Sequence, residues 1–304
     1  MLIIPDNLQI LFTGINSQLT AAYLKQKPWY SKICSVMPSR TEREIYNWML
    51  TIPTLREWVG PRFVANAALK SYEIENKPFE LTIGMDKWKI ADDQYGSFSW
   101  IAQEAGTQAA KWPDYQVVAA IEENPVLPWS GKAFFASDQP TFDEAGSTYS
   151  NALSQTLDAA GFNTVRSTMM AYKGADGKPL GIVPDLLIVP PALEVAAKSL
   201  MNSTFIAPQT FPAGTNVGSQ SNVLQGMADV LVIPELTSDT GWYLACTNRV
   251  IKPFIWQIRQ SPEIIWRNSP TDPAVFDLHQ FLIGVESRGA AGFSFPFLCA
   301  RGHT

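Results

Sequence analysis

Apolar residues fall at helical spacing over residues 6–27, where Leu8, Leu11, Ile15, Leu19 and Tyr23 recur every three or four positions behind Asp6, a residue type that caps helices. The pattern predicts an amphipathic N-terminal helix that must lie against something, either its own domain or a neighbour. It then turns extended over 44–50 and again over 71–85, where Tyr72, Ile74, Phe79, Leu81 and Ile83 give β-branched and aromatic weight. The connection between these strands contains Pro53, Gly60 and Pro61 and is too long for a tight hairpin. With Trp48 before it, it carries Leu55, Trp58, Val59 and Phe63. Burying even one such side chain contributes about 1.5–3 kcal/mol, so together they favour a partner surface or a loop folded back on its own chain.

Helical spacing returns with Phe98, Ile101, Ala105, Ala109 and Trp112, a face with small residues along its seam. Proline at 113 removes one helical hydrogen bond but suits the first position of a new helix, which predicts helices over 97–111 and 113–123. Residues 124–150 read as a surface connection, with 131–135 a short strand candidate. A helix over 151–171, a turn over 173–179, a wholly apolar strand over 186–189 and a helix from Pro190-Pro191 through Asn202 follow. After a Gly- and Ser-rich loop over 211–221 come strand candidates at 223–233, 241–246, 252–259, 262–266 and 276–286, then a turn over 287–292 ahead of residues 293–299. Separate helices with mostly antiparallel strands make the fold α+β. A border near residue 200 is the best single division, and no internal repeat marks another.

At 304 residues the chain is long enough for more than one packing unit and a sizeable core. Charged residues make up only 17%, against roughly 25% in typical soluble domains, while Trp and Phe number ten and sixteen. So little charge with so many aromatics points to a surface buried against partners. The net charge of −5 and the scattered Lys and Arg give no basic run to track a phosphate backbone. Cys34, Cys246 and Cys299 are odd in number and widely spaced, as in a reducing compartment, and read as small buried hydrophobes. No basic leader with an apolar core opens the chain, and no apolar run reaches the roughly 20 residues of a bilayer span.

Chemistry has few carriers here. The two histidines are His279, in an expected strand, and His303, one residue from the end, and no Gly-x-Ser-x-Gly elbow surrounds a serine. The stretch 174–178 looks superficially like a phosphate loop but has Pro179 where Ser or Thr must hold the metal. No two Cys or His stand at zinc-ligand spacing. Asp92-Asp93 reads as a helix-capping pair. The expectation is a chain without catalytic residues, metal or cofactor.

The punctuation of residues 46–140 carries a resemblance. Tyr46-Asn47-Trp48, Ile52-Pro53-Thr54-Leu55-Arg56-Glu57-Trp58-Val59-Gly60, 72–80, Gln103-Glu104-Ala105-Gly106 and Trp112-Pro113-Asp114 resemble the Mu-like phage major head subunit family, gpT. That resemblance implies the HK97-type capsid fold, with residues 1–41 an N-terminal arm, 42–85 an extended loop and 86–200 a peripheral domain around a spine helix over about 97–123. Residues 201–304 would form an axial domain whose last strands return to the peripheral one. It implies a shell of hexamers and pentamers closing an icosahedral head around double-stranded DNA. The expected partners are other copies of the chain, a scaffold, a head-maturation protease, a portal and decoration proteins, with no membrane; assembly is expected in the host bacterial cytoplasm, and the product is the virion. The inter-subunit contacts expected are Leu8, Leu11 and Ile15 on the arm and Trp48, Leu55, Arg56, Glu57, Trp58, Val59 and Phe63 on the loop. An encapsulin-like compartment shares the fold and is the alternative; an unrecognised hydrolase is the remote one. No long scaffolding segment precedes the arm, so little processing is expected. Gln139-Pro140 stands where the family often has His-Pro. Some HK97-type shells carry Lys–Asn cross-links; Lys70, Lys77, Asn66 and Asn76 are the residues of the loop region that this would use, though no motif marks them.

Overall fold

Why the N-terminal helix forms as it does is plain at its first residue: Pro5 opens helix α1 (Pro5–Lys25), where a missing N–H costs nothing, one residue ahead of the expected cap. The computed structural model describes residues 5–49, 69–92, 97–141, 146–174, 177–206, 220–267, 269, 277 and 279–303. After α1 come a single-turn helix α2 (Tyr30–Ile33) and strands β1 (Cys34–Pro38), β2 (Arg43–Met49), β3 (Leu69–Glu75) and β4 (Lys77–Asp86). Helices α3 (Lys87–Asp92) and α4 (Ser97–Glu123) lead to the short strands β5 (Gln139–Pro140), β6 (Thr148–Tyr149) and β7 (Ala152–Ser154). Next are α5 (Ala159–Met170), β8 (Leu186–Val189), α6 (Glu194–Asn202), β9 (Phe205–Ile206), β10 (Gln220–Ser221), β11 (Asp229–Val232) and β12 (Trp242–Ala245). Two strands of fourteen residues, β13 (Phe254–Arg267) and β14 (Gln280–Phe293), and a last strand β15 (Cys299–His303) complete the chain.

Two sheets organise these elements. The first has the order β1-β13-β14-β4, with β1 parallel to β13 and the other pairs antiparallel. The second has the order β11-β8-β12-β15-β7. Along β8, Leu187 and Val189 join a core with Phe162, Val165 and Met169 of α5 and Ala197 and Leu200 of α6, while Leu186 and Ile188 face the other way. A strand buried on both faces must be apolar throughout, which is why 186–189 shows no alternation. The middle core, with Val117, Val118 and Ile121 of α4, Phe134, Phe254, Trp256 and Phe293, joins the two sheets. A third core sets Phe12, Ile15 and Leu19 of α1 against Ala102, Ala105 and Ala109 of α4 and Phe281, Ile283 and Met85 of the first sheet.

Several expectations need correction. The helix expected over 151–171 begins only at Ala159, with Asp158 capping through a bond from the Gly161 N–H; residues 152–154 are drawn into β7 beside β15. Residues 131–135 form no strand; Val126 and Ala133 share an isolated bridge. Pro113 does not divide the spine helix: α4 runs unbroken past it, held there by Trp112 packing on Trp256 at 4.9 Å and on Phe79 at 5.0 Å. The strand candidates 252–259 and 262–266 are one strand, its register shifted between Ile258 and Gln260 and again before Glu263, the irregular place where Pro262 is tolerated. The turn expected over 287–292 lies inside β14. Its glycines answer to close approach instead of turning: a Cβ at Gly289 would stand 2.6 Å from the Gln257 carbonyl oxygen, and one at Gly292 2.3 Å from the Ile74 side chain. His279 precedes β14 with a positive φ of 53° and is not in a strand.

The sheets also divide the chain differently from a cut near 200. β8 pairs with β11 and β12 from beyond that point, and α5 and α6 pack on the sheet those strands build. β13 and β14, both beyond 200, pair with β1 and β4 from the chain's beginning. The chain then returns to the second sheet as β15, between β12 and β7, so the two units are interleaved by long-range strand pairing with no linker to see.

Candidate assembly interface

A two-stranded ribbon outside both main sheets, β2 with β3, runs antiparallel from Arg43 opposite Glu75 to Met49 opposite Leu69, its base packed by Ile74 and Tyr72 against Gly292 of β14. Its strands come from opposite edges of the first sheet. β1 passes into β2 through residues 39–42, and β3 passes into β4 through the single residue Asn76. Trp48 pairs with Lys70 near the far end of the ribbon. Leu55, Arg56, Glu57, Trp58, Val59 and Phe63 lie outside the described residues, as does Asn66.

Both crossings are tied to the central strand β13 by a run of hydrogen bonds. The Tyr46 hydroxyl donates to Gln257 Oε1 at 2.8 Å, and Gln257 Nε2 donates to Asn76 Oδ1 at 2.8 Å and to the Ile74 carbonyl at 3.2 Å. Asn76 Nδ2 donates to Ser39 Oγ at 2.8 Å and to the Thr41 carbonyl at 2.9 Å, and Ser39 Oγ donates to Glu44 Oε1 at 2.9 Å. That carboxylate oxygen also accepts from the Arg40 N–H at 2.8 Å and the Thr41 N–H at 3.2 Å. These donors, the Arg40 amide first, pull the Glu44 carboxyl down to about 2. Ser39, Asn76 and Gln257 are buried, so a lost partner would be left without water. Sequence reasoning missed this set. Its one visible sign was the amide of Gln257 inside the apolar run Ile255-Trp256-Gln257-Ile258. With Asn76 buried and its amide engaged, it is not placed to cross-link to a neighbour.

The arm is held on its own subunit. Gln18 lies against Ser99 and Gln103, Leu19 and Ala22 against Gly106, and Gln26 against Thr107, so α1 and α4 run in the same direction. Ile15 is buried there and Leu11 is partly buried beside it; Leu8 lies in the first turns of the same helix. The elbow after the arm is clamped by Asp114, the residue after the helix proline. It is 3% exposed and accepts from the Tyr30 N–H at 2.8 Å and the Trp29 N–H at 3.3 Å. Burial, helped by the charge of Glu235, raises its carboxyl to about 6 against the two amides and Lys111, which act the other way. A carboxyl raised on folding is held better protonated than ionised, so its contribution to stability is complete below its ordinary value and is lost as pH rises through 6. The carboxyl-carbon resonance of Asp114 is therefore expected to titrate near pH 6. Asp114→Asn is expected to flatten the fall in stability between pH 4.5 and 6.5, and an unperturbed titration near 4 would contradict the assignment.

Among the described residues no group of three or more His, Cys, Asp or Glu could hold a metal ion. His279 and His303 sit at the ends of different sheets. The three cysteines are free and buried, and burial pushes each thiol up, away from a reactive thiolate. A groove of about 210 Å³ between α4 and the first sheet is walled by Phe79, Leu81, Ala109, Trp112, Pro262 and Val285; its serine, Ser287, donates to the Gln260 carbonyl and has no histidine beside it. Glu122, half of an acidic pair, accepts from the Thr237 N–H and hydroxyl and ties α4 to the second unit. No helix among the described residues is long and apolar enough to cross a membrane.

A spine helix laid on a long-stranded sheet, with a second sheet interleaved with it along the chain, a ribbon and an arm, is an α+β arrangement of the HK97 capsid type. The comparisons agree. Residues 82–291 match the phage capsid protein family, and residues 8–155 match the Mu-like prophage major head subunit gpT. The chain is 25% identical over 296 residues to the major capsid protein of Escherichia phage Mu, covering 97% of this chain and 73% of that one. It is 24% identical over 292 residues to the Mu-like prophage FluMu major head subunit of Haemophilus influenzae, covering 96% and 71%. Among solved structures, the procapsid of bacteriophage JBD30 matches with a TM-score of 0.60 at 24% identity, over 99% of this chain and 76% of that chain. The chain belongs to the phage capsid protein family. It is a major head subunit of the Mu-like type.

Proposed function

We propose that this subunit closes, as hexamers and pentamers, into the icosahedral head of a Mu-like tailed phage and encloses double-stranded DNA. The observation that carries the reading is the near-full-length similarity of this chain to two Mu-type head subunits, on a fold whose β2–β3 ribbon belongs to neither main sheet. The mechanism is geometric. Each subunit offers the same ribbon tip to the next, and contacts between unlike surfaces close into rings and then a shell. Single contacts of modest strength become strong when every subunit makes several at once. In this reading the five-stranded unit sits toward the capsomer axis and the four-stranded unit toward its rim. The chain acts without catalysis or cofactor, and a net charge of −5 suits a container that does not grip its DNA. Scaffold, maturation protease, portal and decoration proteins are its partners in the host bacterial cytoplasm. The Mu-type similarity favours a phage head over an enzyme-filled compartment; nuclease-resistant DNA inside purified particles separates the two.

The loop residues 55–63, with Trp58 at their centre, make the inter-subunit contact, together with Trp48 and the outer side of the arm. Trp58→Ala is expected to leave a folded subunit, with thermal unfolding within a few degrees of the parent, and to abolish shells by light scattering and negative-stain microscopy. Normal shells from this variant would remove the loop from the assembly contact.

A further inference from the structure

We propose that Gln257, Asn76, Ser39 and Glu44 form a latch that sets the angle at which the β2–β3 ribbon leaves the first sheet, and thereby the direction in which the ribbon is offered for subunit contact. The inference rests on the ribbon's role in assembly stated above. Three observations lead to it. The ribbon's two strands arrive from opposite edges of the sheet, so nothing in that sheet's own ladder holds the crossings together. One crossing is a single residue, Asn76, and the other is the short turn 39–42; a hinge needs only a few such residues at the ends of elements. The hydrogen bonds span both. Donation runs one way, from Tyr46 to Gln257 to Asn76 to Ser39 to Glu44, and so begins and ends on β2 after passing through β13 and the other crossing.

The direction of this run gives it its stiffness. A chain of donors that ends on a carboxylate is polarised along its length, and each bond strengthens the next. Each primary amide is used on both its oxygen and its nitrogen, which fixes its orientation. Backbone bonds fix the same places: the Asn76 N–H donates to the Glu42 carbonyl at 2.9 Å, and the Ser39 N–H to the Ile258 carbonyl at 2.8 Å, one residue from Gln257. A swing of the ribbon would have to break several buried bonds together, so the ribbon takes one angle and not a range. Ser39, Asn76 and Gln257, buried within the subunit, are positioning residues.

The test compares the full chain with Gln257→Leu, Ser39→Ala and Ser39→Thr, measuring amide hydrogen exchange by segment and shell yield by light scattering and negative-stain microscopy. Expected for Gln257→Leu and Ser39→Ala are exchange at least tenfold faster across 43–49 and 69–75, unchanged protection in 281–293 and 242–245, and a shell yield lowered at least tenfold or spread over several particle sizes. Ser39→Thr keeps the hydroxyl and is expected to restore both readouts. Parent-like ribbon protection and shell yield in Gln257→Leu and Ser39→Ala would overturn the proposal, as would equal failure of the Thr and Ala variants. If Gln257→Leu does not fold, the Ser39 pair decides. Failure of the parent chain to form shells under the same conditions would count against the capsid reading, while the exchange pattern would still judge the latch.

Discussion

Gly106→Ala is expected to loosen the arm from the spine helix and to lower the stability of the unassembled subunit by about 2 kcal/mol. On helix propensity alone the change should stabilise by about 0.5–1 kcal/mol, because glycine loses more conformational freedom in a helix than alanine. Packing decides the other way. A Cβ at 106 would stand 2.3 Å from the Leu19 carbonyl oxygen and 3.2 Å from the Ala22 Cβ. The nearest obstacle is helix backbone, which cannot swing aside like the end of a side chain, so α1 must move outward by about an ångström. Phe12, Ile15 and Leu19, each buried against α4 and the sheet, lose contact together. Gly14 supplies the control, because it lies on the exposed side of α1 and nothing stands within 4 Å of its added Cβ. Gly14→Ala is expected to change stability by about 0.5–1 kcal/mol in the opposite direction. Urea unfolding gives both signs, and hydrogen exchange over 5–25 locates the first. Stabilisation by both alanines would mean that α1 does not lie this close to α4.

How much of this could be read from the chain depends on the range of the forces. The arm, the outer ends of the spine helix and the apolar strand at 186–189 are each set by local periodicity and were legible within a residue or two, whereas the break expected at Pro113 is absent because tertiary packing of Trp112 overrides it. The seam of small residues on α4 was legible too, as Ala102, Ala105, Gly106 and Ala109 admit the arm. What misled was chemistry with two uses. Gly289-Ala290-Ala291-Gly292 has turn composition, yet it is a strand interior so crowded by Trp112, Trp256, Ile74 and Tyr72 that side chains are excluded. Residues 152–154 carry helical spacing but are claimed by β15, nearly 150 positions away in sequence. The interleaving of the two units is a matter of partners, and a single chain's periodicity does not say which strand a strand will meet. For the site the same holds. Gln257 could be noticed as a polar residue in an apolar run, but Ser39, Asn76 and Glu44 look like ordinary loop residues until the fold brings them to it. The loop residues 55–63 rest on the family resemblance and their apolar character, and the Trp58 variant is their trial.

Asn151→Leu is expected to cost about 4 kcal/mol, though leucine keeps the number and branching of asparagine's side-chain heavy atoms. Asn151 is fully buried just ahead of β7. Its Oδ1 accepts from the Ala136 N–H at 3.0 Å, and its Nδ2 faces the carbonyls of Phe134 at 2.9 Å, Pro296 at 3.0 Å and Cys299 at 3.1 Å. The residue therefore stitches the connection that leaves the spine helix to the chain end that closes the second sheet. Leucine leaves the Ala136 N–H without its side-chain acceptor, at about 1–3 kcal/mol, and removes buried bonds to three carbonyls at about 1 kcal/mol each. Part of that is regained, because Phe134 O keeps the Gln139 amide as a second donor at 2.9 Å. Asn151→Asp separates hydrogen bonding from shape. It keeps the acceptor for Ala136 but turns a carboxylate toward three carbonyl oxygens, so at pH 7.5 it is expected to be worse than leucine. Such a carboxyl is raised on folding; its protonated form can donate one bond, so the deficit should shrink at pH 5 and grow as pH rises. Urea unfolding of both variants at the two pH values checks the order. A leucine variant within 1 kcal/mol of the parent, or an aspartate variant indifferent to pH, would mean that the two segments are joined by apolar packing and that the amide's four contacts add little to it.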